Sequence, residues 1–389
     1  MTSDRPHLYL DYNAGAPLRP QVRACVIDCL QETGNASSVH APGRRARGRI
    51  EDAREAVARL CGTSARGVIF TSGGTEANVT ALTPEWQGGD GPLYLNRLLC
   101  TATEHPSVLA GGRFPASQVA TVPVDADGVV RLDALEALLA EGGPALVSVM
   151  AANNETGVLQ PLEQIGALVK AAGGIFHVDA VQAAGRIALD LATWQVDAIS
   201  LSAHKLGGPQ GAGALVLKRA GVAPKPLLTG GGQEGRRRAG TENVAALAGF
   251  GVAATSAAAD LVDMDRLRDL TGLLETGLRH ICPQTVVFSQ RARRLANTTC
   301  FALPGVAAET ALIACDLAGA SVSSGAACSS GKVAASHVLT AMGVDEETAR
   351  CALRISLGWG SDRADVTRFL EIFADLAGRL VPRSRGCAA

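Results

Sequence analysis

The chain lacks an excess of charge of either sign: 36 lysines and arginines stand against 37 aspartates and glutamates, for a formal net charge of -1. That balance leaves no bulk electrostatic footprint for nucleic acid. It lacks clustered cysteines as well. The 10 cysteines are scattered, with none in CxxC spacing. A secreted disulfide framework is therefore not expected, nor is a zinc or iron–sulfur site built from local thiols. Most of the cysteines read as buried thiols acting as small hydrophobes. The opening Met1-Thr2-Ser3-Asp4-Arg5-Pro6 shows no basic-then-apolar leader pattern. No strongly apolar run stands out either. The longest uncharged stretch, Asn243 to Ala259, is rich in Ala and Gly and carries Thr255 and Ser256. A close-packed helix fits it better than a membrane span, which needs about 20 strongly apolar residues. A soluble, cytoplasmic protein with neither nucleic-acid nor membrane partners is the expectation.

What is present is a large core. The 389 residues are 47% hydrophobic, enough for one large core and a second smaller one. Nearly continuous apolar runs predict buried strands at Val68-Ile69-Phe70-Thr71, Ala145 to Met150, Gly174 to Val178, Ala198 to Leu201 and Ala214 to Leu217. Helical patterns lie between them at Ile50 to Cys61, Leu132 to Leu139 and Leu162 to Ala172. The alternation predicts an α/β core with a mostly parallel sheet. After about Ala258 the texture changes to a charged amphipathic helix, Asp260 to Ile281. Strands at Val286 to Phe288 and Thr298 to Phe301 follow, then helices at Ala307 to Leu317, Ala334 to Ala341 and Asp365 to Leu380. This divides the chain into a large domain over 15–257 and a smaller α+β domain over 258–389, which residues 1–14 are expected to join. The segment from Pro382 to Ala389 reads as a frayed tail.

The residues with chemistry in them lie at the ends of predicted strands. In Thr71-Ser72-Gly73-Gly74-Thr75-Glu76-Ala77-Asn78 a strand ends, the chain turns on two glycines and a helix begins. The helix-start amides at Gly74 and Thr75, with the Thr75 hydroxyl, make a seat for a phosphate. It is not a Walker loop, which ends in Lys-Ser/Thr. In His177-Val178-Asp179-Ala180-Val181-Gln182 an apolar strand delivers Asp179. A carboxylate there holds a pyridine nitrogen protonated, and Gln182 reaches a phenolic oxygen. A second strand ends in Ser202-Ala203-His204-Lys205 beside Gly207-Gly208-Pro209. Ser202 and His204 suit a phosphate, and Lys205 suits a Schiff base. Each has a plainer reading: a capped helix start, a capping Asp179, a surface Lys205. In that order along one chain, they describe a cradle for an aromatic aldehyde cofactor.

The chain resembles the cysteine desulfurases, pyridoxal 5′-phosphate enzymes, in the branch that supplies iron–sulfur cluster assembly. The likeness runs from Tyr9-Leu10-Asp11-Tyr12-Asn13 to Leu353-Arg354-Ile355-Ser356-Leu357-Gly358. It takes in Gly34 to His40, Thr71 to Asn78, Glu104 to Val108, Asn153-Asn154-Glu155-Thr156-Gly157, the two segments above, Gly230 to Glu234 and Arg238 to Asn243. The resemblance implies a fold-type I homodimer, with a mostly parallel seven-stranded sheet in the large domain. By the same resemblance Lys205 is the Schiff-base lysine and His105 stacks on the cofactor ring and moves protons. Asp179 meets the pyridine nitrogen and Gln182 the phenolic oxygen. Gly74, Thr75, Ser202 and His204 hold the phosphate, and Thr241 reaches the partner subunit's phosphate site. Asn154 and Arg354 grip the carboxylate of L-cysteine, an Arg fork being suited to a carboxylate.

Ser323-Ser324-Gly325-Ala326-Ala327-Cys328-Ser329-Ser330-Gly331 carries one cysteine among small residues with no helix or strand period, and reads as a loop. Alone, Cys328 is an inert thiol at a turn. Beside a pyridoxal site it is the sulfur acceptor: its thiolate attacks the substrate sulfur, L-alanine leaves, and the persulfide passes to an iron–sulfur scaffold or another acceptor. No metal is required, although Cys328 is a candidate for transient contact with a nascent cluster. An aminotransferase or selenocysteine lyase on the same fold is the nearest rival, and a cofactor-free sulfur carrier the more distant one. A transamination needs no thiol, and a carrier needs no Lys205. Two departures from the family pattern stand out. Gly15 and Ala16 replace the small hydroxyl residues common there, and Arg236-Arg237-Arg238 is unusually basic, suited to a phosphate or acidic partner or simply to solvent.

Overall fold

The structure, a computed structural model, describes residues 7–88, 91–325 and 335–381. Its centre is a seven-stranded sheet in the order Val68–Thr71, Gly213–Leu217, Ala198–Ser202, Ile175–Asp179, Ala145–Met150, Arg97–Thr101, Val119–Val122. Gly213–Leu217 runs antiparallel to both neighbours, and every other pairing in the sheet is parallel. The exception follows from chain length. A parallel return needs a crossover of a dozen or more residues, and the turn between Ser202 and Gly213 is shorter than that.

Alternate residues of each strand serve opposite faces. Val147, Phe176, Ile199 and Val216 join one apolar cluster, while Leu146, Ile175, Ala198 and Leu215 join another. Both faces are thus covered, which is why the strands read as unbroken apolar runs. Two strands escaped that reading. Arg97–Thr101 begins on a charge, and Val119–Val122 is one of the two sheet edges and only partly buried.

A second, antiparallel sheet has the order Val286–Val287, Thr298–Ala302, Ala352–Ser356, Ser323–Ser324. Ser323 and Ser324, expected in a loop, pair with Arg354 and Leu353. The helices Met264–Ile281, Ala308–Leu317 and Arg363–Leu380 pack with this sheet around Phe301, Phe369 and Phe373. The predicted helix from Asp260 is instead a 3-10 turn, Asp260–Asp263, followed by Met264–Ile281. Near the N-terminus, Leu8–Tyr9 pairs in parallel with Ala320–Ser321, and Leu8 and Leu10 are buried in the same cluster.

The uncharged stretch forms the helix Val244–Ala259. The helical run Val244–Ile281 is long and apolar enough to cross a membrane by composition, but its apolar window is 56% buried within the protein. Small residues let the neighbours of Val244–Ala259 approach closely: it packs on Ala41–Leu60 and Pro20–Gln31, and a Cβ on Gly251 would lie 2.5 Å from Ala53 Cα. Gly251→Leu has no room without moving that backbone. A loss of about 1–3 kcal/mol of stability is expected, read as a lowered denaturant midpoint; an unchanged midpoint would show that the helix pair is not closely packed.

Candidate active site

The polar ends of the buried strands converge on one cavity of about 290 Å³. Asp179 is the last residue of its strand and Ser202 the last of the neighbouring one. Ser202 leads directly into the 3-10 turn Ala203–Lys205. Opposite them the helix Gly74–Ala81 begins, and its first helical bond runs from Ala77 N–H to Gly73 O at 3.1 Å. The amides of Gly74 and Thr75 come before that bond and so lack a helical partner. A Cβ on Gly74 would fall 2.8 Å from Val181 Cγ2 and 3.4 Å from Ser202 Cβ, so glycine keeps the cradle open. Gly74, Thr75, His105, Asn154, Asp179, Gln182, Ser202, His204, Lys205 and Arg354 all line the cavity. Thr241 does not. It is exposed, beside Arg238 and Gly240 in a separate hollow. Cys328 lies outside the described residues.

The Asp179 carboxylate is buried and held from two sides. Oδ1 accepts from Val181 N–H at 3.0 Å and Oδ2 from Asn78 Nδ2 at 2.7 Å. Asn78 also donates to Ser107 Oγ at 2.9 Å. Ser107 in turn donates its backbone N–H to His105 Nδ1 at 3.1 Å, which leaves the His105 proton on Nε2. Across the cavity, Lys205 Nζ donates to the carbonyls of Asn13 at 2.5 Å and Ala14 at 2.8 Å. Gln182 Nε2 donates to the same Asn13 carbonyl at 2.9 Å.

Arg354 is almost wholly buried, with its charge met by Asp11. Nη2 reaches Asp11 Oδ1 at 2.6 Å, and Nη1 reaches Asn154 O at 2.9 Å. Its Nε is buried and has no hydrogen-bond partner among the described residues, so a donor is left for an incoming acceptor. Sequence reasoning passed over Asn78, Asp11 and Asn13. Asn78 had a signal, being one helical turn beyond the Gly74 cradle. The Asp11–Arg354 pair had none, because its members are 343 residues apart.

Burial decides the protonation of several groups here. It pushes the His204 pKa down to about 4, helped by Lys205, and lowers His105 as well, against the opposing pull of Asp179. Both imidazoles are therefore neutral at neutral pH. Burial also raises Glu104 to about 8 and Glu155 to about 7. Glu104 Oε1 accepts from Thr101 Oγ1 at 2.5 Å and Met150 N–H at 2.7 Å, while Oε2 has no partner among the described residues. Glu155 accepts from the Ser336 hydroxyl, and His337 Nε2 donates to the Glu104 carbonyl at 2.9 Å.

The two departures have different outcomes. A Cβ on Gly15 would stand 3.6 Å from His204 Nδ1, so that position faces a cavity histidine. In the basic run, Arg237 donates to Arg66 O at 2.8 Å and Arg238 pairs with Glu76 at 2.9 Å; only Arg236 is exposed. Two of the three arginines thus serve the protein's own structure.

The cavity asks for a small ring with an anionic group at the helix-start end and a basic nitrogen facing Asp179. Pyridoxal 5′-phosphate meets both demands, and the class this sheet and cavity define is the fold-type I pyridoxal-phosphate enzymes. Residues 8–369 match the family model of the class-V aminotransferases. Cysteine desulfurase 2 of Trichormus variabilis is 40% identical over 377 residues, covering 96% of this chain and 94% of its own length. The cysteine desulfurase of Rhodobacter capsulatus is 40% identical over 387 residues, 97% of this chain and 98% of its own. The X-ray structure of the NifS-like protein from Rickettsia africae has a TM-score of 0.87 at 34% identity, covering 96% of this chain and 99% of that one. The chain belongs to the class-V aminotransferase family, and within it to the cysteine desulfurases.

The neutral Glu104 carries a pH signature. The folded chain keeps its proton up to about 8, whereas an unfolded glutamate loses it near 4.5. This group's contribution is thus fully present below pH 4.5 and is lost as pH rises to about 8, at up to about 1.4 kcal/mol per pH unit. Glu104→Gln keeps the acceptor oxygen and removes the titration. Denaturant midpoints across that pH range are expected to fall less steeply in the variant; equal slopes would place the glutamate charged in the fold.

Proposed function

We infer that the protein is a pyridoxal-phosphate-dependent cysteine desulfurase, converting L-cysteine to L-alanine and leaving a persulfide on Cys328 for a sulfur acceptor in iron–sulfur cluster assembly. The observation that carries the reading is the shared cavity, lined by Lys205 and Asp179 beside an Arg354 Nε that has no partner among the described residues. Bound there, pyridoxal 5′-phosphate supplies an electrophilic carbon for an amino group and a ring that withdraws electrons from Cα.

The chain's own residues do the rest. Gly74 and Thr75 amides, the Thr75 and Ser202 hydroxyls and the neutral His204 ring bind the phosphate. Asp179, oriented by Asn78 and Val181, holds a proton at the pyridine nitrogen. Gln182 donates to the phenolic oxygen. His105 covers one ring face. Arg354 and Asn154 bind the substrate carboxylate, with Arg354 already aimed by Asp11. Lys205 takes the proton from Cα and returns it on the product side. The Cys328 thiolate attacks the substrate sulfur. An S–S bond forms, the C–S bond breaks, and the carbon fragment takes up protons to leave as L-alanine, with the sulfur kept on Cys328. Two chains form a homodimer in which exposed Thr241 serves the phosphate site across the interface. The division into 15–257 and 258–389, with 1–14 joining the second part, and a cytoplasmic location complete the reading.

Two variants test it. Cys328→Ala is expected to retain the visible cofactor band but lose L-alanine and sulfide formation from L-cysteine by at least about 100-fold, as for loss of an attacking nucleophile. Lys205→Ala is expected to lose covalent cofactor fixation by borohydride, read by intact mass. Undiminished sulfide release by Cys328→Ala would overturn the persulfide step. L-alanine formation that required a keto acid would favour an aminotransferase instead.

A further inference from the structure

Gln182 faces the cavity, and Arg186 stands behind it. Arg186 Nη1 donates to Gln182 Oε1 and to Gln182 O at 3.2 Å, and Nη2 donates to Tyr12 O at 3.4 Å. A guanidinium has donors and no acceptor, so the amide oxygen of Gln182 must face Arg186. The amide nitrogen is thereby turned the other way, where it bonds the Asn13 carbonyl shared with Lys205 Nζ. Tyr12 and Asn13 are adjacent, so one guanidinium braces both the glutamine and the backbone that receives the lysine.

Arg186 also lacks a carboxylate among the described ion pairs. It lines a cavity of about 40 Å³ behind Lys205 that contains two acidic residues, Asp260 and Asp263. Asp260 is paired with Arg19 at 2.5 Å and Asp263 with Arg266 at 2.7 Å. The other charged group acting on Arg186 is Arg354, whose like charge adds to burial in disfavouring the cation. Arginine nonetheless stays protonated in proteins. The guanidinium stands behind Gln182, which lines the cavity together with Asp179 and Lys205.

We propose that Arg186 is a positioning residue of the cofactor site: it holds the Gln182 amide with nitrogen toward the cavity and places an unneutralised positive charge behind it, so that the phenolic oxygen of the cofactor is held as an anion. A donor and a cation near that oxygen both lower the proton affinity of the linkage between Lys205 and the cofactor. Without Arg186 the amide is free to turn its oxygen inward, so the donor gives way to an acceptor and the cation is lost. A lysine keeps the charge and one donor but not the fork that spans Gln182 and Tyr12. The inference rests on the cofactor reading above.

The test is a pH titration of the visible absorption band of the borohydride-fixable holoenzyme. Arg186→Met is expected to raise the midpoint by about one unit, and Arg186→Lys to restore most of that shift. In a Gln182→Leu background, Arg186→Met should shift the midpoint less than it does in the parent. An unchanged midpoint in Arg186→Met, or an undiminished shift in the Gln182→Leu background, overturns the proposal. If Arg186→Met does not fold, Arg186→Lys decides: a midpoint between the parent's and that of Gln182→Leu supports the fork, and any other order overturns it. A parent protein without a visible band would instead count against the cofactor reading itself.

Discussion

The whole site depends on one constraint: a sheet buried on both faces presents polar side chains where its strands stop. Within Ile175–Asp179 and Ala198–Ser202 the chain is buried throughout. Backbone hydrogen bonding is complete inside the ladder, and an inward charge would lack solvent. At the strand ends the ladder opens. Asp179 and Ser202 emerge there at the same end of the sheet because their strands are parallel neighbours. The helix Gly74–Ala81 begins at the same edge because Val68–Thr71 runs in the same direction two places along. A parallel sheet therefore places an acid, a hydroxyl and a helix start at one edge, the usual position for a ligand in open α/β sheets.

The surroundings keep that edge electrically simple. Burial neutralises His105, His204 and Glu104, which would otherwise add charges that compete for the cofactor or substrate. The Arg354 charge is met by Asp11 at 2.6 Å. That pair also ties the strand Ala352–Ser356 of the smaller sheet to the N-terminal segment that carries Asn13 and Ala14. Those two carbonyls receive Lys205. The same small set of contacts thus orients the substrate-side arginine and the lysine together.

Much of the fold was legible because burial writes itself into composition. The five strands read as apolar runs are consecutive in the large sheet, from the edge strand Val68–Thr71 to Ala145–Met150, and each is buried throughout. The edge strand Val119–Val122 and the strand Arg97–Thr101 carried no such run, as a partly exposed or charge-initiated strand need not. Ser323–Ser324 lies in a stretch of small residues without a strand period, which reads as loop; its partner strand supplies the hydrogen bonds that decide the matter. The Arg236–Arg238 run looked like one basic patch. The fold divides it, because successive side chains point to different neighbours, Arg66 and Glu76 among them.

The sequence by itself determined the chemistry: a lysine at a strand end, a carboxylate after an apolar strand, a glycine turn opening a helix and a cysteine among small residues. These are local signals, set by periodicity and by what each side chain can do. Only the tertiary structure decided which partner holds each group. Asn78 on Asp179, Asp11 on Arg354, and Arg186 on Gln182 and Tyr12 are contacts of orientation. Three of these reach across 101, 343 and 174 residues. Such pairings leave no local pattern, because proximity there is created by the packing of the sheets and not by the spacing of residues along the chain.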